Sequence, residues 1–421
     1  MKKSFVLTFI FLFCLGLRTP GLAQKSIRIG SLTSLTGGLA PFGPPINYGA
    51  GLAIDHINAA GGLLGRKVEL ITRDTATSPV VGRDAATKLV EIDKVPAFVG
   101  ALSNGVTIAS SSVTIANQVV QISPASTSPE LTDLDDKGFV FRTCPSDALQ
   151  GVIQATLAKN LGYETSSVIF VNNGYGKGLA EAFKRAFEEK GGQIIVMVPY
   201  DQGKASYRGE MGTAIRGKPA VLNIIAYPLD GNKLLMEAVE LGYQGRYIFP
   251  DGMKGDAVSR GPASKYIDGS FGTAPGALEV AAVKQFEKDY VEKLKKDGID
   301  EKKIRYYVTV PFRTQSYDAI ALIALAIQKV GPKFLEMSFR EQGKAIRDNL
   351  HSVANPPGWN VSYNQFAEAF KLLKAGKDIN YQGVSGPITF DENGDVKEAA
   401  IEIWHVRNGK TLSIWTVTLE K

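Results

Sequence analysis

The chain alternates between short apolar runs and longer runs in which apolar residues recur every three or four positions. The apolar runs IRIGSL, VELITRD, PAFVG and VVQIS are each followed by a polar loop, and three of these loops lead into a run with helical spacing. Gly61 and Gly62 close the first helical run, and Ser78 with Pro79 opens the second. Alternation of this kind is typical of parallel strands covered by helices on both faces.

A second series begins with the helical run SDALQGVIQATLAKNLG, which starts at Ser146. It continues with the apolar runs SSVIFV, QIIVMV, AVLNIIAY and RYIFP, separated by amphipathic runs. From about residue 275 the pattern is helical, and it includes the apolar run DAIALIALAIQKVG, which predicts a buried helix. The last segment predicts a β-hairpin turning at Asn408-Gly409. The two series predict an α/β fold with two Rossmann-like lobes.

The N-terminus has the pattern of a secretory signal. A basic start precedes an apolar run from Phe5 to Leu17, which is too short to span a bilayer, and a small-residue cleavage site ends at Ala23. Cys14 lies inside the apolar run, where it is not placed for lipidation. The sequence therefore predicts a cleavable signal over residues 1–23 and a soluble, periplasmic mature chain.

Charge and cysteine content exclude several classes of function. The formal net charge is +6 for 421 residues and falls to +3 once the signal is lost, which does not suggest a nucleic-acid partner. Cys144 is then the only cysteine, so no internal disulfide forms, and we expect it to be a small buried residue. His56, His351 and His405 show no metal-ligand spacing. We expect no metal and no cofactor.

The loops after the predicted strands hold the candidate chemistry, because ligands of open α/β sheets bind beyond the carboxyl ends of the strands. These loops are rich in Ser, Thr, Asn, Gly and Tyr and contain no His or Cys. They suit the binding of a small polar ligand better than nucleophilic or acid–base catalysis, so we expect no enzyme. The loops are SLTSLTGGLAPFG, GALSNG, SPASTSPELTD, NNGYGKG, AYPLDGN and PDGMKG.

The loop NNGYGKG leaves a dinucleotide-dependent enzyme as a distant alternative. Its glycines, Gly174, Gly176 and Gly178, have the spacing G-x-G-x-G instead of the G-x-G-x-x-G of a dinucleotide-binding turn. Asp201 follows the next strand, as a ribose-binding acid would. We expect the glycines to serve the turn and to leave room for a ligand, and we expect Tyr175 to face that ligand.

An ordered series of motifs resembles the type I periplasmic binding proteins, in particular the leucine/isoleucine/valine-binding proteins of ABC importers. The series includes GAGLAIDHINAAGGLLGRKVELITRD, VPAFVGALSNGVTIA, ISPASTSPELTD, NNGYGKGLAEAF and GVSGPITFDENGD, and runs from about Ile27 to Asp395. The resemblance implies two lobes joined by three crossovers, with lobe I at 25–143 plus 275–398 and lobe II at 144–274 plus 399–421.

The resemblance also implies a function. The expected protein is a monomer that captures a branched-chain or other hydrophobic amino acid by hinge closure and delivers it to the permease subunits of an ABC importer. Alternative ligands are a short amide or urea-type molecule or an aromatic carboxylate. A ligand-sensing receptor is a more distant alternative, because a regulator on this fold would lack an export signal. An NAD-dependent enzyme is equally distant, because the glycine spacing differs from that of a dinucleotide-binding turn.

Ligand contacts of the family can be transferred where the motifs match. The ligand carboxylate is expected at Leu102, Ser103 and Asn104, at the start of a predicted helix whose N–H groups favour an anion. The remaining positions are the carbonyl of Ala125, the hydroxyl of Thr127, the rings of Tyr175 and Tyr227, the carboxylate of Asp251 opposite the ligand ammonium, and the aromatic Phe42 at the cleft mouth.

Several of these residues also fit a purely structural role. Thr127 and Ser128 suit the cap of a short helix begun by Pro129, Asp251 suits a turn, and Tyr227 suits a strand. Asn104 replaces a serine that is common in leucine-binding relatives, and its amide offers both a donor and an acceptor. It would therefore also suit a ligand amide or another neutral polar group.

Overall fold

The computed structural model describes residues 25–277 and 281–420. The predicted signal sequence, including Cys14, lies outside the described residues. Within these ranges no helix combines the length and the apolar character needed to cross a membrane.

The first part of the chain forms a sheet of five parallel strands with the order β2-β1-β3-β4-β5. Three of its strands are buried along their whole length because helices cover both faces of the sheet, as the continuous apolar runs predict. The strands are β1 (Ile27–Thr33), β2 (Val68–Asp74), β3 (Ala97–Gly100), β4 (Val120–Ser123) and β5 (Val140–Arg142).

Three helices connect these strands: α1 (Gly43–Ala59), α2 (Pro79–Thr87) and α3 (Asn104–Asn117). Gly61 and Gly62 follow α1 with φ angles of 100° and 74°, so they end that helix as predicted. Pro79 is the first residue of α2, but Ser78 makes no side-chain capping bond. The helical run PVVGRDAATKLVEID predicts a helix through Asp93, but at Lys88–Ile92 this helix changes into a π-helical turn.

The second series folds as five parallel strands with helices between them. The elements are α4 (Asp147–Asn160), β6 (Thr165–Val171), α5 (Gly174–Glu189), β7 (Gln193–Tyr200), α6 (Arg208–Ile215), β8 (Val221–Ile225), α7 (Pro228–Glu240), β9 (Arg246–Phe249), α8 (Asp256–Ser259) and β10 (Phe271–Pro275). Neither β5 nor β10 was predicted from the sequence.

The segment after β10 is mainly helical, as predicted, and carries a small three-stranded sheet that was not predicted. Its elements are α9 (Ala281–Lys296), α10 (Glu301–Tyr307), α11 (Arg313–Val330), α12 (Phe339–Ala354), β11 (Trp359–Val361), α13 (Phe366–Lys374), β12 (Ile379–Gly383) and β13 (Gly386–Pro387). Helix α11 is buried almost throughout, as its apolar run predicts, and packs between α1 and α12.

The chain ends in the predicted hairpin. Strands β14 (Glu398–Arg407) and β15 (Lys410–Glu420) are antiparallel and turn at Asn408 and Gly409, which have φ angles of 53° and 67°. Both positive angles are those of a type I′ turn. β14 also pairs antiparallel with β10, which completes a seven-stranded sheet with the order β15-β14-β10-β9-β8-β6-β7.

The parallel parts of the two sheets share one strand order. β2-β1-β3-β4-β5 in the first sheet corresponds to β7-β6-β8-β9-β10 in the second. The order reverses between β1 and β3 and again between β6 and β8, and a ligand crevice forms beyond the strand ends at such a reversal. The fold is therefore α/β with two Rossmann-like lobes, as predicted; the lobe boundaries given above stay a proposal.

The hydrophobic core of the second sheet extends across the interface between the lobes. Besides side chains of β6, β8, β9 and their helices, the same buried cluster contains Phe42, Leu102 and Ala125 from the loops of the first sheet and Phe312 from the start of α11. The two lobes thus meet through apolar side chains at the strand ends, where the candidate site lies.

Candidate functional site: the cleft between the lobes

A small cavity lies between the carboxyl ends of the two sheets. Its volume, measured as the space open to the centre of a water molecule, is about 20 Å³, which is room for about one water molecule. The cleft is therefore closed, and a larger ligand requires the lobes to separate. The cavity is lined by Leu39, Phe42, Ile46, Leu102, Asn104, Ala125, Tyr175, Tyr227, Asp251, Gly252 and Phe312.

Asn104 presents a hydrogen-bond donor to the cavity. It is the first residue of α3, and its Oδ1 accepts a hydrogen bond of 2.8 Å from the backbone N–H of Ser128. Because a backbone N–H only donates, the amide orientation is fixed and Nδ2 is left to donate towards the cavity. Together with the N-terminus of α3, this arrangement favours a ligand carboxylate or carbonyl oxygen. The acceptor oxygen of Asn104 is thus already used by Ser128. The side chain offers a ligand only a donor, whereas the sequence led us to expect both a donor and an acceptor.

Hydroxyl groups hold the two loops of lobe I together beside Asn104. Ser123 Oγ donates to the carbonyl of Ala101 at 2.7 Å, and Thr107 Oγ1 lies 2.7 Å from Ser126 Oγ. These side chains are fully buried, so they fix the loop backbones instead of facing the cavity. Ala125 lies between them and lines the cavity.

Thr127 does not line the cavity. Its hydroxyl donates to Asp147 Oδ2 at 2.8 Å, and its carbonyl accepts from the backbone N–H of Asp147 at 2.7 Å. The neighbouring Ser128, not Thr127, caps the short 3₁₀ turn that Pro129 begins, since its Oγ accepts from the N–H of Glu130. The Thr127 hydroxyl therefore has its lone pairs available as acceptors while its proton points to Asp147.

Lobe II contributes a stacked pair of tyrosines. The rings of Tyr175 and Tyr227 lie 5.6 Å apart between centroids with an interplanar angle of 8°. Asn173 Nδ2 donates to Tyr227 Oη at 3.2 Å. Burial raises the pKa of Tyr227 to about 12, an effect that hydrogen bonds from Ser103 and Asn173 oppose. Both rings are therefore neutral near pH 7 and form a flat, mostly apolar wall with hydroxyl tips.

Asp251 is the acid of this wall. It follows β9, is 4% exposed, and its Oδ1 accepts from Gln150 Nε2 at 2.9 Å and from Tyr175 Oη at 3.1 Å. Tyr175 Oη in turn accepts from the N–H of Gly252 at 3.2 Å. Burial raises the pKa of Asp251 to about 6, against the effect of the hydrogen bonds from Gln150 and Tyr175. An ionised Asp251 in the closed cleft therefore lacks a cation.

Gly174 and Gly178 of NNGYGKG make room for the opposite lobe and not for a ligand, which corrects the expectation from the sequence, whereas Gly176 serves the turn as expected, since a Cβ there would lie 2.0 Å from the carbonyl oxygen of Val171. A Cβ on Gly174 would lie 2.6 Å from Glu130 Oε2, and one on Gly178 would lie 2.6 Å from Pro129 Cδ. The hydroxyl of Ser128 also donates to the carbonyl of Gly174 at 3.0 Å. The first turn of α5 thus contacts the loop after β4 directly. Asn173 caps this helix by accepting from the N–H of Gly176.

Seven of the nine candidate ligand residues line the cavity: Phe42, Leu102, Asn104, Ala125, Tyr175, Tyr227 and Asp251. Ser103 and Thr127 are buried behind the wall, next to Tyr227 and Asp147 respectively. Their contacts with a ligand remain a prediction, as do those of the other seven.

Part of the lining was not predicted from the sequence. Leu39 and Ile46 flank the predicted Phe42, and Phe312 comes from the start of α11, far along the chain. Their apolar character gave no signal that separates them from core residues. Asp147 was also missed, because an acid in the first turn of a helix reads as an ordinary partner of the helix dipole.

The other residues weighed in the sequence have structural partners. Asp201 accepts a hydrogen bond of 2.9 Å from Asn172, and Cys144 is buried, as expected. Within the residues the structure describes, no three His, Cys, Asp or Glu side chains are grouped so as to hold a metal ion.

The family described as receptor family ligand binding region matches residues 49–409, which is most of the chain. The chain is a type I periplasmic binding protein. The resemblance stated from the sequence is thereby confirmed.

Individual relatives agree with this assignment. The chain is 28% identical to Leu/Ile/Val-binding protein homolog 3 of Brucella melitensis, over 93% of this chain and 94% of that protein. It is 25% identical to BasB of Halobacterium salinarum, named a chemotactic signal transduction system substrate-binding protein, over 87% and 84% of the two chains.

A solved structure agrees in fold. The leucine binding protein LivK of Thermotoga maritima superposes with a TM-score of 0.75 at 24% sequence identity, covering 93% of this chain and 98% of that one. The match over the full length supports the two-lobed architecture described above.

Proposed function

We propose that this protein is the extracytoplasmic solute-binding component of an ABC importer and that it captures a hydrophobic amino acid, most simply a branched-chain one. It acts as a monomer that closes on its ligand and delivers it to the permease subunits. It has no catalytic role in this proposal, and we infer a periplasmic location from its predicted signal sequence.

The observation that carries the proposal is the distribution of polar groups over the two facing walls. Lobe I offers donors for a carboxylate, namely Asn104 Nδ2 and the N-terminus of α3, whereas lobe II offers the acid Asp251. Between them the lining is apolar. A zwitterion with an apolar side chain matches this arrangement, because each charged end meets a group of suitable polarity and the side chain meets hydrophobic residues. The apolar residues are Leu39, Phe42, Ile46, Leu102, Ala125 and Phe312.

The names of the relatives support an amino acid as the ligand. The protein from Brucella melitensis is named for leucine, isoleucine and valine and aligns over nearly the full length of both chains. The narrow closed cavity supports a mechanism in which the lobes open to admit the ligand and then close around it.

A ligand screen tests the proposal. Thermal unfolding of the purified mature protein would be followed with L-amino acids, short amides, aromatic carboxylates and NAD. A ligand that binds only the folded protein adds about 2.7 kcal/mol of stability at a concentration of about 100 Kd. We expect leucine, isoleucine or valine to give the largest shift. A larger shift in thermal unfolding with benzoate or an amide would show that this molecule, and not an amino acid, is the ligand. A specific shift with NAD alone would contradict the binding-protein function.

A further inference from the structure

A second buried acid, Asp147, lies beneath the ligand cleft. It is fully buried at the first turn of α4. Its Oδ2 accepts from Thr127 Oγ1 at 2.8 Å, and its Oδ1 is buried without a hydrogen-bond partner among the described residues. A buried carboxylate oxygen without a donor is costly, and such a group calls for an explanation.

Asp147 and Asp251 belong to one cluster. Gln150, one turn after Asp147 on α4, donates from Nε2 to Asp251 Oδ1 at 2.9 Å and lies 3.3 Å from the carbonyl of Thr273. The side-chain Oδ1 of Asp251 also accepts from Tyr175. Thus α4 carries one acid itself and holds the other through its glutamine. The two acids come from segments about a hundred residues apart.

The charged and titratable groups that face the two acids do not neutralise them. They are Arg142, Cys144, Tyr175 and Tyr227. Of these only Arg142 is cationic, and its guanidinium is bound to Asp395, with Nη2 at 2.6 Å from Oδ2. Two carboxylates in a closed, water-poor cluster without a cation of their own repel each other, so one of them keeps a proton. Burial first and this repulsion second raise the pKa of Asp147 well above its ordinary value.

We propose that Asp147 and Asp251 together hold one proton in the closed, ligand-free cleft and that the ammonium group of an amino-acid ligand displaces this proton to solvent. This inference rests on the proposed function, since it requires a cationic ligand group. The pair and its proton carry one negative charge; the ionised pair and the ammonium carry the same charge. Closure on the ligand therefore leaves the net charge around the two acids unchanged, while the ligand carboxylate brings its own charge to the donors of lobe I, and the O–H bond that breaks sends its proton to the buffer.

Thr127 is the hydrogen-bond partner through which Asp147 acts in this proposal. When Asp147 is ionised, the Thr127 hydroxyl donates to it and keeps its lone pairs as acceptors for an ammonium N–H, which reaches them only once the lobes have opened. When Asp147 is protonated at Oδ2, the hydroxyl is free to donate outwards instead. Asp147 is thus a positioning residue that sets the polarity of Thr127 through its own proton.

Calorimetry of the full mature protein with L-leucine tests the proposal. Titrations at about pH 7 in two buffers with different ionisation enthalpies give the number of protons released per ligand bound. We expect a release close to one proton, and hence an affinity that rises up to about tenfold per pH unit between pH 6 and 8. Binding without proton release and with a constant affinity over this range would overturn the inference while leaving the proposed function intact.

The variant Asp147→Asn keeps the shape of the side chain and removes the proton. Whatever its leucine affinity at pH 7, the proton release and the pH dependence of that affinity should largely disappear. Asp230→Asn is the matched control, because Asp230 is a buried acid of lobe II that accepts from Tyr207 Oη at 2.7 Å and does not line the cavity. It should release as many protons as the wild type. Equal release by Asp147→Asn would contradict the role of Asp147.

A carboxyl titration of the ligand-free protein needs no ligand and separates this inference from the proposed function. Carbon-13 NMR of labelled aspartates should show a carboxyl group titrating above about pH 6 in the wild type but not in Asp147→Asn. If no amino acid binds but this titration is present, the proposed function fails and the shared proton stands. If all aspartates titrate below pH 5, the shared proton is excluded, whatever the ligand.

Discussion

Asp251 combines a functional requirement with a cost in stability. Burial raises the pKa of its carboxyl from 3.8 to about 6, so the closed protein binds more protons than the unfolded chain between these pH values. The free energy of unfolding therefore falls as the pH rises from about 4 to about 6, and the penalty is complete above that range. A ligand ammonium would offset it, which links closure to the presence of the ligand.

The variant Asp251→Asn tests this cost at the residue scale. The amide retains an oxygen for Gln150 and Tyr175 but carries no charge, so we expect the ligand-free variant to be more stable than the wild type at pH 7, by up to about 3 kcal/mol. The difference should vanish near pH 4. Thermal unfolding at several pH values measures it. A variant that is less stable at pH 7, or a difference that does not depend on pH, would contradict the account.

The polarity of Asn104 gives a second test. In Asn104→Asp one carboxylate oxygen still accepts from the N–H of Ser128, but the other replaces the donor that faces the cavity. A like charge next to the ligand carboxylate costs several kcal/mol, so we expect leucine affinity to fall by about 2–5 kcal/mol. Isothermal titration calorimetry measures the change. Unchanged affinity in the folded variant would place the ligand carboxylate elsewhere.

The site residues that lie in loops directly after predicted strands could be predicted from the sequence. Those that reach the cavity through packing between distant segments could not. Phe42, Asn104, Tyr175 and Asp251 follow strands, and the carboxyl ends of parallel strands converge. Phe312 joins the cavity only because α11 packs between α1 and α12, a contact between segments far apart in the chain. Local patterns carry no information on such packing.

At the scale of elements, the contact between α5 and the loop after β4 is the structural basis of closure. Gly178 lies so close to Pro129 that a Cβ would be 2.6 Å from a ring carbon, which is not the end of a flexible side chain. The glycine-rich loop thus resembles a nucleotide loop because both need close approach of a backbone, here to the facing lobe.

Replacing Gly178 by Ala should therefore hinder closure. We expect leucine affinity to fall at least tenfold, that is by about 1.4 kcal/mol or more, with little loss of thermal stability in the ligand-free protein. Gly212→Ala is the matched control, since Gly212 also lies in a helix and a Cβ there would meet nothing within 4 Å. Isothermal titration calorimetry with leucine measures the affinity of both variants and of the wild type. Equal affinities would show that the contact does not limit closure.

The element prediction was most successful where apolar runs are local and continuous. All four strands predicted in each series are present, and the C-terminal hairpin turns where the Asn-Gly pair predicts. Strand β10 was missed because its pairing is non-local: it shares only two paired residues with β9 and otherwise pairs with β14, more than a hundred residues later. β14 and β15 extend the sheet only through that pairing.

At the scale of the whole molecule, the closed cleft and the cost of ionised Asp251 predict a ligand-dependent hinge motion. At a pH at which the Asp147–Asp251 pair has lost its proton, the wild type without ligand should open, because opening hydrates the two charges, whereas leucine should close it. Small-angle scattering should therefore show a larger radius of gyration without leucine than with it. Ligand-free Asp251→Asn should be more compact than the ligand-free wild type. Identical radii in all three samples would argue against closure.

The central claim is that the cleft binds a hydrophobic amino acid with its ammonium group on Asp251. Calorimetric titration of the wild type and Asp251→Asn with L-leucine and with 4-methylpentanoate, which is leucine without its amino group, tests it most directly. The wild type should prefer leucine by about 2–5 kcal/mol, and most of this preference should disappear in Asp251→Asn. Equal affinity of the wild type for both molecules, or a preference that survives in the variant, would contradict the claim.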